Sequence, residues 1–329
     1  MEKVSVIIRS YNEQKHLPKL FAGLARQRGV LVEAVLVDSG STDDTVKIAR
    51  SFNAKIVSIP SEEFSFGRAL NIGCRAAESD TLVLASAHVY PTHSDWLCNL
   101  IAPFRDDRVG MVYGRQIGDV NTRYSESRVF ERWFPRESVQ NQGTPFCNNA
   151  NAAIRKCIWE AYGYNETLPG LEDVELANRM QSDGLRLSYS AEAQIVHVHD
   201  ESASQIYNRY RREAIAFKQI FPREHLTMAS AARLVMSNIL SDACHAYRDG
   251  LISKHLVDIA IFRSMQFLGA YQGFRQKGPV SAELAQRFYY PSKLAGADYR
   301  ESRSDSLINY TELAGQGGLP LRGQTAASH

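Results

Sequence analysis

No window of the 329-residue sequence offers about 18 consecutive uncharged apolar residues, the length that reads as a bilayer-spanning helix. The nearest candidate, 251–267, is interrupted by Lys254, His255, Asp258 and Arg263, so no membrane span is expected. A charge excess is lacking too. Thirty-eight Lys and Arg stand against 36 Asp and Glu, a net charge of +2, and the overall balance gives no reason to expect nucleic-acid binding. The five cysteines (Cys74, Cys98, Cys147, Cys157, Cys244) contain no CxxC pair, which removes the usual paired-thiol metal and redox motifs. The amino terminus, MEKVSVIIRS, runs straight into a strand pattern without signal-peptide features, so a cytoplasmic chain with free thiols is expected. No internal repeat is visible.

What is present is a regular alternation. VSVIIR (4–9), AVLVD (34–38), KIVSI (55–59) and TLVLAS (81–86) are short, almost continuously apolar and rich in Val and Ile, as strands buried on both faces are. Between them, 13–26, 43–52 and 68–77 carry apolar residues at helical spacing. Strand-helix alternation predicts an α/β fold with a mostly parallel sheet flanked by helices. In such sheets ligands bind beyond the carboxyl ends of the strands.

Those ends are chemically unusual. The first strand leads into Ser10, Tyr11, Asn12 and Glu13; the second ends in VDSGSTDDT, with Asp38, Ser39 and Gly40; the fourth ends in Ser86, Ala87 and His88. A simple account of SGSTDDT is a turn with Ser41 or Thr42 capping a helix whose first turn holds Asp43 and Asp44. Asp38 asks for more, because a carboxylate ending a buried strand needs a partner, and a nucleobase imide N–H is one candidate.

The segments YNE (11–13), VDSGSTDDT (37–45), GRALNIGCRAA (67–77) and EDVELANRMQSDG (172–184) together resemble the inverting family-2 glycosyltransferases of GT-A fold, over roughly the first 220 residues. The resemblance implies a mixed, Rossmann-like sheet and a nucleotide-diphosphate-sugar donor lying across the early strand ends. Ser10, Tyr11, Asn12, Glu13, Asp38, Ser39, Gly40, Ser86 and Ala87 would line the nucleotide pocket, with Asp38 meeting the base. Arg68 and Asn71 lie on the segment similar to the family's diphosphate-side helix, although the familiar Ala-Arg-Asn is here Ala69-Leu70-Asn71.

The fourth strand departs from the family pattern, which places a metal-holding Asp-x-Asp where this chain has Ser86-Ala87-His88. Mg²⁺ and Mn²⁺ favour oxygen ligands, and imidazole suits borderline ions better, so a divalent cofactor stays open rather than assured. Three readings of His88 compete: metal ligation together with His197 or His199, which alternate on a strand-like QIVHVHD; direct contact with the diphosphate; or a histidine satisfied by backbone groups.

Pro169-Gly170 mark a turn, and Glu172-Asp173 open a helix, where acidic residues often serve only the helix dipole. The resemblance makes Asp173 the expected general base for an acceptor hydroxyl, with Glu172 orienting the loop or binding the acceptor. Arg179 and the run holding Arg209, Arg211 and Arg212 are candidates for neutralising the leaving diphosphate; a solvated helix face is the competing account of the latter three. Trp133, Asn149 and Asn151 are expected to face the acceptor, since aromatic faces and amides suit sugar rings. The strand-like 151–156 is expected to return the chain to the sheet.

After Phe221-Pro222 the pattern becomes helical, one helix running from about Leu226 to Tyr247 and a second over 251–274, broken by Gly250. We therefore divide the chain into a glycosyltransferase domain, 1–222, and a helical extension, 223–329, whose tail from Lys293 reads as weakly ordered. The extension is open to packing within the protein, homodimer formation or peripheral membrane contact. The expected activity is an inverting transfer from a UDP- or dTDP-sugar to a glycan or lipid-linked glycan in surface-polysaccharide synthesis, at the inner face of the cell membrane. A sugar-nucleotide-binding scaffold without activity and a nucleotidyl or sugar-phosphate transferase are the alternatives.

Overall fold

The computed structural model describes residues 1–278 and positions 280, 281, 284, 308 and 310. Eight strands are present among them: β1 (Glu2–Ser10), β2 (Val30–Asp38), β3 (Lys55–Ser58), β4 (Thr81–Ser86), β5 (Val89–Pro91), β6 (Val109–Ile117), β7 (Asn151–Arg155) and β8 (Arg186–His197). They form one sheet in the order β3-β2-β1-β4-β7-β6-β8-β5. Strands β1 to β4 pair in parallel, while β7 runs antiparallel to both β4 and β6, so the sheet is mixed, as expected.

Side-chain alternation on the central strands builds two cores. Val4, Val6, Ile8, Val83 and Ala85 face helices α1 (Leu17–Ala25), α2 (Thr45–Ser51) and α4 (Trp96–Ile101). Ile7, Leu82 and Leu84 face the other way, toward α3 (Phe66–Ala76), α6 (Lys156–Tyr162) and α7 (Glu172–Ser182). Gly73 lets α3 lie against the sheet, because a Cβ there would collide with Ile7 and Val37.

Register brings the chemistry to one edge. Ser10 pairs with Asp38 across β1 and β2, and Arg9 pairs with Ser86 across β1 and β4. Along the other half of the sheet, β5 pairs antiparallel with the end of β8, Val89 lying opposite His197. Helix α5 (Tyr124–Trp133) closes the site from one side and α8 (Ala203–Ile220) from another.

Two long helices follow, α9 (Met228–Arg248) and α10 (Ile252–Arg275), separated at Gly250, whose φ of +71° suits glycine. Helix α10 packs on α8 through Gly269 and Gly273, where a Cβ would strike backbone of Tyr207 and Arg211. No helix among the described residues is long and apolar enough to cross a membrane. From the sequence, Tyr289, Tyr290, Leu307, Ile308 and Tyr310 are the candidates to dock the tail; most of the tail from Lys293, with Tyr289, Tyr290 and Leu307, lies outside the described residues. Tyr310 does dock, donating its hydroxyl to the Pro91 carbonyl at 2.7 Å.

Candidate active site

The loops after β1 and β2 are stapled together. Asn12, held at φ +52°, donates its backbone N–H to Ser41 Oγ at 2.9 Å, and its Oδ1 accepts from the Thr42 N–H at 2.8 Å. Glu13 N–H reaches Thr45 Oγ1 at 2.7 Å. The expected cap by Ser41 or Thr42 is therefore corrected: α2 starts later, at Thr45, and both hydroxyl residues bind the neighbouring loop. Asp38 is buried and accepts from the N–H groups of Gly40 and Ser41, at 3.2 and 3.1 Å. Gly40 turns the chain there at φ +89°. Ser39 donates both its N–H and its hydroxyl to the Ser10 carbonyl, at 3.1 and 3.2 Å.

At the tip of β4, His88 meets two other histidines. Its ring stacks on His197 at 5.1 Å between centroids, and His197 and His199 lie 4.1 Å apart. Each Nδ1 has an oxygen partner: Glu13 for His88 (3.0 Å), Gln116 for His197 (2.7 Å) and Glu126 for His199 (2.6 Å). With Nδ1 so engaged, Nε2 of His197 faces Nε2 of His199 at 3.0 Å. One ligand atom from each of the three rings falls within 4.8 Å of the others. Burial, then the neighbouring His199 and His88, push His197 well below the usual imidazole range, so it is neutral and a lone-pair donor.

The acidic pair occupies the first turn of α7, entered through Leu171 at φ +55°. Asp173 Oδ2 accepts the Asn149 backbone N–H at 2.9 Å, and Oδ1 accepts that of Val174 at 2.8 Å. Burial first, and the adjacent Glu172 charge second, raise the Asp173 carboxyl to about 7; the two backbone donors and Arg9 pull the other way. Glu172 is bound by Arg9 and by the Asn149 side chain, each at 3.3 Å.

Residues 5–163 match the model of "Glycosyl transferase family 2". An O-antigen chain rhamnosyltransferase of Salmonella anatum, WbaN, is 29% identical over 222 residues, 64% of this chain and 70% of the relative. RfbN of Salmonella typhimurium, also an O-antigen chain rhamnosyltransferase, is 27% identical over 63% of this chain and 70% of its own. These matches support a family-2 glycosyltransferase over residues 5–163. Its fold is shared with the mannosyltransferase PcManGT of Pyrobaculum calidifontis, solved with GDP-Man and Mn²⁺, at a TM-score of 0.57 and 19% identity over 82% of this chain and 86% of that one. A Staphylococcus aureus TarS fragment, solved with UDP-GlcNAc, shares it at a TM-score of 0.51 and 16% identity over 83% and 92%. The fold is thus the expected GT-A architecture with a helical carboxyl-terminal region.

Not every residue of the transferase singled out from sequence lies free for a ligand. Asn71 donates to the Tyr164 carbonyl and Glu166, and accepts from Trp159 and the Tyr164 N–H, all at 2.9 to 3.0 Å, which uses its whole hydrogen-bonding capacity. Asn151 is fully buried and holds Trp96, Arg115 and Ala193, so it ties core elements rather than facing an acceptor. Asn149 positions both carboxylates. Trp133 is 47% exposed at the end of α5, with its ring on Phe146 at 4.5 Å. Arg68 pairs with Glu63 and Glu166 at the start of α3.

The arginines also divide. Arg179 clamps Glu175 and the carbonyls of Tyr162 and Gly163, a purely structural role. Helix α8 does not present a solvated face: Arg209 is sandwiched between Glu126 (2.6 Å) and Glu201 (2.7 Å), and Arg211 reaches Gln276. Arg212 lies over the Phe66 ring at 4.7 Å, and Arg9 over the same ring at 4.8 Å. Arg9, Gln116, Glu126 and Tyr164 are given no role by the sequence alone. Only Arg9 left a signal, as a cation ending a buried strand; the others reveal themselves through partners distant in sequence.

Proposed function

We propose that the enzyme moves a sugar from a UDP- or dTDP-linked donor to a hydroxyl of a glycan or lipid-linked glycan during surface-polysaccharide synthesis, inverting the anomeric centre. The O-antigen assignments of WbaN and RfbN support the polymer class. The observation that carries the chemistry is Asp173: a buried carboxylate poised at about 7, held by two backbone donors, Asn149 just before β7 and Val174 in the first turn of α7. A base so tuned takes a hydroxyl proton near neutral pH without being locked by it. The attacking oxygen then displaces the nucleotide in a single in-line step, so one base suffices.

Ser10, Tyr11, Asn12, Glu13, Asp38, Ser39, Gly40, Ser86 and Ala87 form the donor-nucleotide wall of this reading, with the base against Asp38. Arg9 and Arg212, stacked on Phe66 beside Glu172, supply positive charge toward the leaving diphosphate. The histidine cluster fits a divalent ion. Two imidazole Nε2 atoms face one another at 3.0 Å while both Nδ1 atoms are taken by side-chain partners, an arrangement that presents both Nε2 atoms to one bound cation. His88, His197 and His199 would hold Mn²⁺ in preference to Mg²⁺ on donor chemistry. Such an ion supplies charge neutralisation of the departing diphosphate.

Calorimetric titration of UDP, dTDP, GDP and CMP, each with Mn²⁺ and with EDTA, tests the donor site. Binding of one uracil or thymine diphosphate that collapses in EDTA and in His88→Ala supports the histidine metal site. Binding indifferent to EDTA but lost in His88→Ala transfers the role to the imidazole itself. Absence of any nucleotide binding overturns the reading.

A further inference from the structure

Helices α9 and α10 each leave an apolar face that no other described residue covers. Met236, Leu240 and Tyr247 on α9 repeat at intervals of four and seven, as do Val257, Ile261 and Leu268 on α10, so each set lies on one side of its helix. All six are exposed, Tyr247 at 74% and Val257 at 73%, where a helix packed into a protein core would hide them. The opposite sides carry the buried residues Ala231, Asp242 and Ala246 of α9 and Ile259, Phe262 and Arg263 of α10.

Charge on this hairpin is one-sided, although the chain as a whole is almost neutral. Between 228 and 278 there are six Lys and Arg against three Asp and no Glu. Each Asp is occupied within the protein: Asp242 by Arg263 and Ser125, Asp249 by the Tyr124 hydroxyl at 2.6 Å, and Asp258 by Arg123. The exposed basic residues Arg233 and Lys254 each precede an apolar residue of the face, Met236 and Val257, by three positions and so border it.

We propose that the α9–α10 hairpin seats on an anionic lipid surface, its apolar side chains entering the headgroup boundary and its Arg and Lys meeting lipid phosphates. A second copy of the chain is the weaker occupant, since a two-fold contact would bring the same basic residues against each other. Docking would also orient the active site. On α5, Ser125 is fastened to the Asp242–Arg263 pair, while its neighbour Glu126 holds His199 and Arg209. One helix thus bolts the hairpin to the wall of the histidine cluster. The proposal stands on the hairpin alone and does not require the catalytic assignment.

The test is co-sedimentation of the full chain with vesicles of phosphatidylcholine alone and with added phosphatidylglycerol. Binding to the anionic vesicles only, weakened by salt, is the expected result. Met236→Gln/Leu240→Gln/Val257→Gln should cut the partition coefficient by about tenfold or more, and Arg233→Gln/Lys254→Gln by about fivefold per charge, at an unchanged melting temperature. Cys244 is exposed on α9 between Leu240 and Tyr247. In a Cys157→Ser background, an environment-sensitive fluorophore at Cys244 should shift to the blue on adding anionic vesicles. No binding to either vesicle, equal binding by the variants, or a lipid-independent dimer that gives the same blue shift overturns the proposal.

Discussion

Asn149 reaches Asp173 through its backbone and Glu172 through its side chain, at 2.9 and 3.3 Å. A single residue just before β7 thereby sets the positions of both carboxylates. Its own Oδ1 accepts from the Tyr164 hydroxyl at 3.3 Å, so the pair is fixed by a short chain of buried polar groups rather than by solvent.

The Asp173 carboxyl, raised to about 7 by burial and by Glu172, must be ionised to accept a proton. The kcat/KM of sugar transfer should therefore rise with pH as one ionisation through about 7 and then level off. A profile that is flat between about pH 5.5 and 8.5 would remove Asp173 from the role.

The two charges beside Asp173 act in opposite senses. Arg9 favours the carboxylate and Glu172 opposes it. Arg9→Gln should move the ascending limb to higher pH, and Glu172→Gln should move it lower, whatever each does to the maximal rate. Parallel shifts in one direction would contradict this electrostatic account.

Glu126 is buried against His199 and Arg209. Burial alone would raise its carboxyl, but the two partners outweigh it and hold the group at about 2. A folded value below the ordinary one means stability that is present above about pH 4.5 and lost as pH falls toward 2. Glu126→Gln leaves a buried guanidinium short of a partner and should cost about 3–5 kcal/mol in urea unfolding at pH 7. It should also flatten the acid dependence below pH 4.5.

Gly269 allows α10 to touch α8, because a Cβ there would collide with the Tyr207 carbonyl oxygen and backbone cannot swing away. Gly269→Ala should cost about 1–3 kcal/mol, read in chemical denaturation. An unchanged midpoint would mean that the hairpin is not tightly held on the catalytic region.

Local pattern made the front half of the fold legible. Continuous Val and Ile runs marked β1 to β4, and Leu82 and Leu84 alternating with Val83 and Ala85 feed the two cores that a doubly covered sheet needs. The strand tips followed from that, including His88 beside His197 and His199. What stayed hidden depends on contacts far apart in sequence. Asn71 looks diphosphate-facing by resemblance and Asn151 acceptor-facing because amides suit sugars, yet their partners Trp159 and Trp96 lie 88 and 55 residues away. Glu126 meets His199 across 73 residues, and nothing in the helix around it announces a carboxylate buried beneath two cations. Arg209 reads as solvent-facing until the fold sets Glu126 and Glu201 on either side of it.

The most direct test is Asp173→Asn, assayed twice on the same preparation: calorimetric affinity for the preferred nucleoside diphosphate, and the rate of its release from the matching sugar nucleotide in the presence of acceptor. The account predicts affinity within about threefold of the parent and transfer reduced by about 10²–10⁴-fold. Transfer at the parental rate with intact binding would contradict the assignment of Asp173 as the base.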